Sequence, residues 1–101
     1  MSPDELAAGR VYLTGHIDVP ADRLTAVRDA LDEHIALTRA EPGCLSFDVV
    51  EQDDPPGRFS VAEVFENQQA FDAHQERTKQ SAWFQVTERI PRHYTITTKA
   101  D

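Results

Sequence analysis

The spacing of the apolar residues changes near Pro20, and this change constrains the fold more than any other feature of the 101-residue chain. Before the proline, every second residue belongs to one set, which contains Val11, Leu13, Gly15, Ile17 and Val19. A period of two predicts a half-buried β-strand. After the proline, the apolar residues recur at every third or fourth position, at Leu24, Val27, Leu31 and Ile35. That period predicts an amphipathic helix, which the segment 41–43 (Glu-Pro-Gly) ends.

The rest of the chain predicts two strands, two short helices and a last strand. Residues 44–51 alternate, with Leu45, Phe47 and Val49 on one side, and the Pro- and Gly-containing segment 53–57 predicts a turn into a strand at 58–65. Asn67 is a candidate N-cap for a helix at 68–77, and Ser81 is a candidate N-cap for a helical stretch that Pro91 ends. Residues 94–98 alternate again.

This order of elements, β-α-β-β-α-β, is typical of the split βαβ arrangement. The sequence therefore predicts an α+β, ferredoxin-like domain with an antiparallel sheet at residues 10–99. We expect residues 1–9, which show no sustained period, to form a flexible tail. The predicted helices would cover one face of the sheet and leave the other bare, although several residues expected on the bare face are apolar: Tyr12, Val50, Ala62 and Val64. A second copy that covers this face would make a homodimer.

Composition excludes several classes of function. Eighteen acidic and ten basic residues give a formal net charge of −8, which disfavours nucleic acid and anionic membrane surfaces as partners. Cys44 is the only cysteine, so no intramolecular disulfide can form, and we expect it to be a buried structural thiol. The first residues lack the features of a signal peptide, so we expect a cytoplasmic protein.

Motifs for cofactors and metals are missing from the sequence. The glycines are scattered and form no phosphate-binding loop. The four histidines, at positions 16, 34, 74 and 93, lie in four different predicted elements, so their spacing does not indicate a metal site. We therefore expect no nucleotide cofactor and no metal.

Three segments together resemble the antibiotic biosynthesis monooxygenase (ABM) family, whose members include quinol monooxygenases and belong to the dimeric α+β barrel superfamily. The segments are EPGCLSFDV at 41–49, FSVAEVFE at 59–66 and FDAH at 71–74. Their order and separations match from about residue 11 to residue 97. The resemblance implies a dimeric ferredoxin-like domain with a pocket between sheet and helices.

Characterised members of this family oxidise polyketide phenols, anthrones or quinols with O₂ and use no flavin, haem or metal. The resemblance thus implies a cofactor-independent monooxygenase for which a small electron-rich aromatic substrate supplies the electrons. Such an enzyme needs a base with a pKa near neutrality, a dry aromatic cavity and polar groups that orient the substrate anion.

His74 occupies the histidine position of the F-x-x-H motif and is the candidate catalytic base, although a purely structural histidine is the alternative. Glu63 is the second candidate catalytic residue; it could orient His74 or pair with Arg58 or Arg92, because an unpaired buried carboxylate is costly. We expect His34 to lie at the surface or at its boundary. The candidate substrate-binding residues are Trp83, Phe84, Phe71, Phe59, Tyr12 and His16, of which Tyr12 and His16 could instead face a dimer interface.

Two other functions stay open at this point. Domains of this shape include non-catalytic modules that bind a small molecule or a partner. The fold also hosts haem-degrading enzymes, in which a tryptophan takes the place of His74 and the haem-ligating histidine follows about ten residues later. This chain has Phe84 at that second position, which disfavours the haem alternative.

Overall fold

A computed structural model of the protein describes residues 9–99. The predicted tail, residues 1–9, lies outside the described residues apart from Gly9. The elements follow in the order β1 (Arg10–Asp18), a 3₁₀ turn (Ala21–Arg23), α1 (Leu24–Arg39), β2 (Cys44–Glu51), β3 (Arg58–Phe65), α2 (Gln68–Thr78), α3 (Ala82–Val86) and β4 (Arg92–Lys99). None of the helices in this part of the chain is long and apolar enough to cross a membrane.

The four strands form one antiparallel sheet in the order β2-β3-β1-β4. This arrangement confirms the predicted α+β, ferredoxin-like fold. The predicted alternation is also confirmed on β1 and β3, because one side of each strand is buried. The buried strand residues are Val11, Leu13, Ile17, Phe47, Val49, Phe59, Val61 and Phe65. We call the face of the sheet that carries them the inner face.

The helices cover the inner face with a few large side chains. Val27 of α1, Phe71 of α2 and Trp83 of α3 are buried with the strand residues in one apolar core. Full burial of such a side chain contributes about 1.5–3 kcal/mol of transfer free energy. The helices therefore stay on this side of the sheet.

Both predicted N-caps are confirmed. The Asn67 side-chain oxygen accepts a hydrogen bond from the Ala70 N–H at 2.8 Å, and the Ser81 hydroxyl accepts one from the Phe84 N–H at 3.2 Å. Helix α3 ends at Val86, earlier than predicted. Arg89, three residues later, adopts a positive φ of 68°, which a right-handed helix cannot contain.

One predicted orientation on β2 is wrong. Alternation places Leu45 on the same side as Phe47 and Val49, but its side chain is 50% exposed whereas theirs are buried. The register against β3 shifts between Cys44 and Ser46, so that Leu45 is the extra residue of a β-bulge. A bulge interrupts the alternation of side chains, and periodicity alone does not reveal it. Cys44 is half-buried rather than fully buried.

Within residues 9–99, no helix lies on the opposite, outer face of the sheet. Val50 is 55% exposed there, Ala62 is exposed, and Tyr12 and Val64 are half-buried. Because this face combines apolar side chains with backbone that is already paired in the sheet, a flat partner surface could cover it.

Gly15 allows β4 to approach β1 closely. A Cβ atom at this position would lie 2.0 Å from the His93 carbonyl oxygen and 2.8 Å from the Tyr94 ring. Real Cβ atoms do not come so close to backbone, so any side chain here would push β4 away from the sheet. The residue is also at φ 156°, where side chains other than that of glycine are strained.

Substitution of Gly15 should therefore weaken the fold. We expect Gly15→Ala to lower the free energy of unfolding by about 2–3 kcal/mol in urea denaturation, because β4 must shift. The neighbouring Thr14→Ala, at an exposed position on the other face, should change it by less than about 0.5 kcal/mol. Equal effects of the two substitutions would contradict the steric role of Gly15.

Candidate functional site

A pocket of about 300 Å³ lies between the inner face of the sheet and the helices. The strands contribute Leu13, Glu63, Arg92 and Tyr94, and the helices with their adjoining residues contribute His34, His74, Gln75, Thr78, Lys79, Trp83 and Phe84. Aromatic walls and a few titratable groups thus surround one hollow, as in small-molecule sites generally.

His74 reaches this pocket from the inward side of α2. Phe71 and Thr78 lie three residues before it and four residues after it, so all three side chains share one side of the helix. The imidazole is 3% exposed and packs against Phe65 and Phe47, with ring centroids 4.9 and 5.8 Å away. The aromatic contacts hold the ring in one orientation.

The Glu41 carboxylate binds one edge of the His74 ring. Its Oε1 lies 2.8 Å from His74 Nδ1, and its Oε2 accepts a hydrogen bond from Arg77 Nε. Arg77 also donates to the Thr38 hydroxyl at 3.0 Å. Arg77 therefore holds Glu41 in place and balances its charge, on the side of His74 that faces away from the pocket.

This contact fixes which ring nitrogen of His74 is basic. An ionised carboxylate accepts a hydrogen bond from Nδ1–H, so the neutral tautomer has its lone pair on Nε2. Nε2 lies on the side of Thr78 Oγ1 (3.5 Å) and Glu63 Oε1 (3.7 Å), both of which belong to pocket-lining residues. Burial lowers the pKa of His74, although Glu41 opposes this shift. The imidazole is consequently neutral near pH 7 and can accept a proton.

Gly43 brings Glu41 to α2. It adopts a φ of 89°, and a Cβ atom here would lie 2.6 Å from the Ala70 Cβ. The turn at 41–43 therefore packs directly on the first turn of α2, and only glycine fits this approach. Although this segment was predicted only as a helix stop, it also supplies the histidine's partner.

Glu63 is the unusual group of the pocket. It lies on β3 among Val61 and Phe65 and is 7% exposed, and its Oε1 has no hydrogen-bond partner among the described residues. Burial, together with the charge of Glu41, raises the pKa of its carboxyl to about 7. The carboxyl is thus able to hold or release a proton at neutral pH.

The predicted ion pair between Glu63 and an arginine is wrong. Arg58 binds Asp18 at 2.8 and 3.1 Å, and Arg92 donates to the carbonyls of Thr87 and Ile90. Arg58 cannot reach Glu63 because the two residues are five positions apart on β3, so their side chains lie on opposite faces of the sheet.

His34 is buried, so its expected surface position is also wrong. Its ring is 4% exposed and stacks on Trp83, with centroids 4.9 Å apart and planes within 2°. In the part of the chain that the structure describes, its Nδ1 has no hydrogen-bond partner. Burial is the main cause that lowers its pKa to about 3. The buried side of α1 includes this position, because His34 follows Leu31 by three residues and precedes Thr38 by four.

The structure brings four of the predicted site residues together at the pocket: His74, Glu63, Trp83 and Phe84. The other four lie elsewhere. Phe59 and Phe71 are buried in the apolar core, where Phe71 packs on Phe65. Tyr12 and His16 lie on the outer face, because alternation along β1 turns them away from Leu13; Tyr12 contacts Lys99 and His16 stacks on His93.

Sequence reasoning missed four further groups of the site: Glu41, His34, Arg92 and Tyr94. The inward position of Tyr94 could have been predicted, because Tyr94 alternates on the last strand with the polar residues His93, Thr95 and Thr97. Arg92 lies over the Phe84 ring at 5.7 Å. Burial raises the pKa of Tyr94 to about 12, so its hydroxyl stays protonated and can donate a hydrogen bond to an anion. Phe84 provides no ligand for haem iron.

Comparison with known proteins is consistent with this fold. A protein from Nitrosomonas europaea, proposed to be an antibiotic biosynthesis monooxygenase, superposes with a TM-score of 0.75 over 91% of this chain and 90% of its own, at 23% identity. A protein from Deinococcus radiodurans, with the same proposed function, has a TM-score of 0.75 over 90% of this chain and 93% of its own, also at 23% identity. Rv0793 from Mycobacterium tuberculosis has a TM-score of 0.70 over 91% of this chain and 96% of its own, at 26% identity.

Sequence comparison gives the family. No curated protein matches the chain. The family model described as antibiotic biosynthesis monooxygenase matches residues 10–86, which is well over half of the chain. That segment includes Glu41, Glu63 and His74, and so most of the pocket. The chain therefore belongs to the antibiotic biosynthesis monooxygenase family.

Proposed function

We propose that this protein is a cofactor-independent monooxygenase that oxidises a small electron-rich aromatic compound of the quinol, phenol or anthrone type with O₂. The observation that carries the proposal is the buried His74, whose Nδ1 binds Glu41 while its Nε2 faces a pocket with aromatic walls. Family membership supports the type of reaction, and the pocket supports the type of substrate.

The first step in this proposal is removal of a proton from the substrate by His74 Nε2. The resulting anion is electron-rich enough to transfer an electron to O₂. One oxygen atom then becomes bonded to a substrate carbon and the other leaves as water, so that a quinol and O₂ give a hydroxyquinone and water. The substrate supplies all four electrons, and no external reductant is required.

Other pocket groups would support the charges that this reaction creates. The Glu63 carboxylate, when ionised, would stabilise the imidazolium that forms on His74, from which it is 3.7 Å away. Arg92 and the protonated Tyr94 hydroxyl would orient the substrate anion from β4. Trp83, whose ring is held by the stacked His34, and Phe84 would contact the aromatic ring of the substrate.

We also propose that the protein is a homodimer in which a second copy covers the outer face of the sheet. The exposed apolar residues of this face, with Val50 at 55% exposure, support the proposal. Tyr12 and His16, which lie on the same face, would then be near the partner subunit and not in the pocket of their own chain.

The proposed base can be tested with His74→Gln, whose amide can still donate to Glu41 but cannot take a proton. We expect oxygen uptake, measured with a panel of reduced quinols and anthrone-like phenols and no added cofactor, to fall by at least about 100-fold. His93→Gln, the same change on the outer face, should keep the wild-type rate. Circular dichroism checks that both variants fold.

Two results would contradict the proposal in different ways. Unchanged uptake in the folded His74→Gln protein would remove His74 as the base. No uptake by the wild type with any substrate of the panel, combined with binding of those compounds, would favour a non-catalytic small-molecule-binding module.

The role of Glu63 predicts a pH dependence. Since its carboxyl has a pKa of about 7, the wild-type rate should rise between about pH 6 and 8 as the carboxylate forms beside His74. In Glu63→Gln, the rise in rate between about pH 6 and 8 should be absent. The rise due to deprotonation of His74, which occurs at lower pH, should remain. Identical pH–rate profiles in the two proteins would rule out this role.

Stability gives an independent check on the same group. The unfolded carboxyl titrates near its ordinary pKa of 4.5 and the folded one near 7, so the native state binds more protons between these values. The contribution of Glu63 to stability is therefore full below about pH 4.5 and declines as the pH rises through 7. The free energy of unfolding of Glu63→Gln should lack this decline.

The homodimer can be tested with a charge on the outer face. We expect sedimentation to give twice the mass of the chain for the wild type and the mass of one chain for Val50→Asp, because a buried unpaired carboxylate is costly. Leu37→Asp serves as the control, since Leu37 is 44% exposed on α1 at the other side of the protein. A wild-type monomer would refute the homodimer.

A further inference from the structure

Three side chains that the proposed reaction does not use meet at one end of the outer face. His16 of β1 pairs directly with His93 of β4 in the antiparallel register, and their rings stack with centroids 4.8 Å apart. Asp18 lies two residues after His16 and therefore on the same face. Its Oδ2 is 3.6 Å from His16 Nε2.

The ligand atoms of this His16–Asp18–His93 cluster are close enough for one metal ion. One nitrogen of each imidazole and one carboxylate oxygen all lie within 4.8 Å of one another. Around a tetrahedral ion with ligands at about 2.0–2.1 Å, such atoms are separated by roughly 3.3 Å. Small rotations of exposed or half-buried side chains, without movement of the backbone, close this difference.

We propose that the His16–Asp18–His93 cluster binds a divalent transition-metal ion, with Zn²⁺ as the best fit. Two imidazole nitrogens select Zn²⁺ over Mg²⁺ and Ca²⁺, which prefer oxygen ligands. Three protein ligands leave a fourth position for water. The strands supply a rigid base, because residues 16 and 93 are fixed opposite each other by the sheet.

Arg58 sets the strength of this site. It donates to both oxygens of Asp18, at 2.8 and 3.1 Å, which orients the carboxylate but also places a positive charge beside the ion. Each carboxylate oxygen keeps a second lone pair for the metal. We therefore expect an affinity on the order of micromolar, below that of structural zinc sites.

The position of His93 connects this cluster to the pocket. Its two neighbours along β4, Arg92 and Tyr94, point to the inner face and line the pocket. The site lies where β1 ends and β4 begins, and so at one end of the sheet, and in the single chain Asp18 and His93 are exposed and His16 is half-buried.

The experiment is a titration of the tag-free protein with ZnCl₂, followed by calorimetry. We expect one Zn²⁺ per chain, and affinity at least about tenfold weaker in His16→Gln and in His93→Gln. Asp48→Asn is the control for Asp18→Asn, because Asp48 is an exposed β2 carboxylate that also pairs with an arginine, Arg39. Only Asp18→Asn should weaken binding.

A variant with the opposite effect separates ligand loss from misfolding. Arg58→Gln removes the positive charge from Asp18 and should strengthen Zn²⁺ binding about two- to fivefold, as expected for one exposed charge. Absence of Zn²⁺ binding to the wild type, or undiminished binding to the folded His16→Gln/His93→Gln double variant, would overturn the proposal. The intense visible absorption of four-coordinate Co²⁺ in the same protein would support the proposed geometry.

Discussion

The contact between Glu41 and His74 is the interaction on which the site depends. It joins the residue after α1 to the middle of α2, and Arg77 completes it from the same helix. Because Glu41 is only 13% exposed, its charge acts through little solvent and has a strong effect on the imidazole. The pair thus ties the end of α1 to α2 and determines which nitrogen of His74 can react.

The two carboxylates near His74 are in contrasting surroundings. Glu41 accepts hydrogen bonds from a histidine and an arginine, whereas Glu63, between apolar strand residues, has an oxygen without a partner anywhere in residues 9–99. Burial of such an oxygen without a partner lowers the stability of the fold. One carboxylate therefore holds the histidine, and the other lies beside it with a raised pKa of about 7.

Much of the fold could be predicted from the sequence, because alternation on β1 and β3 and the caps at Asn67 and Ser81 are local signals. The candidate site was predicted in part. His74 and Trp83 reached the pocket, but Glu41 contacts His74 only through tertiary packing across 33 residues. The burial of His34 depends on stacking against Trp83, and no local pattern records which polar residue of a helix meets another element.

The β-bulge at Leu45 has a consequence for how the family's sequences can change length. The extra residue lets Cys44 pair with Phe65 while Ser46 pairs with Val64, so Cys44 lies on the side of the buried Phe65. A one-residue deletion at position 45 would leave both of these pairs in place and restore a regular ladder. One-residue gaps should thus be tolerated at the bulge as they are in a turn, whereas a gap elsewhere in β2 would shift the register against β3.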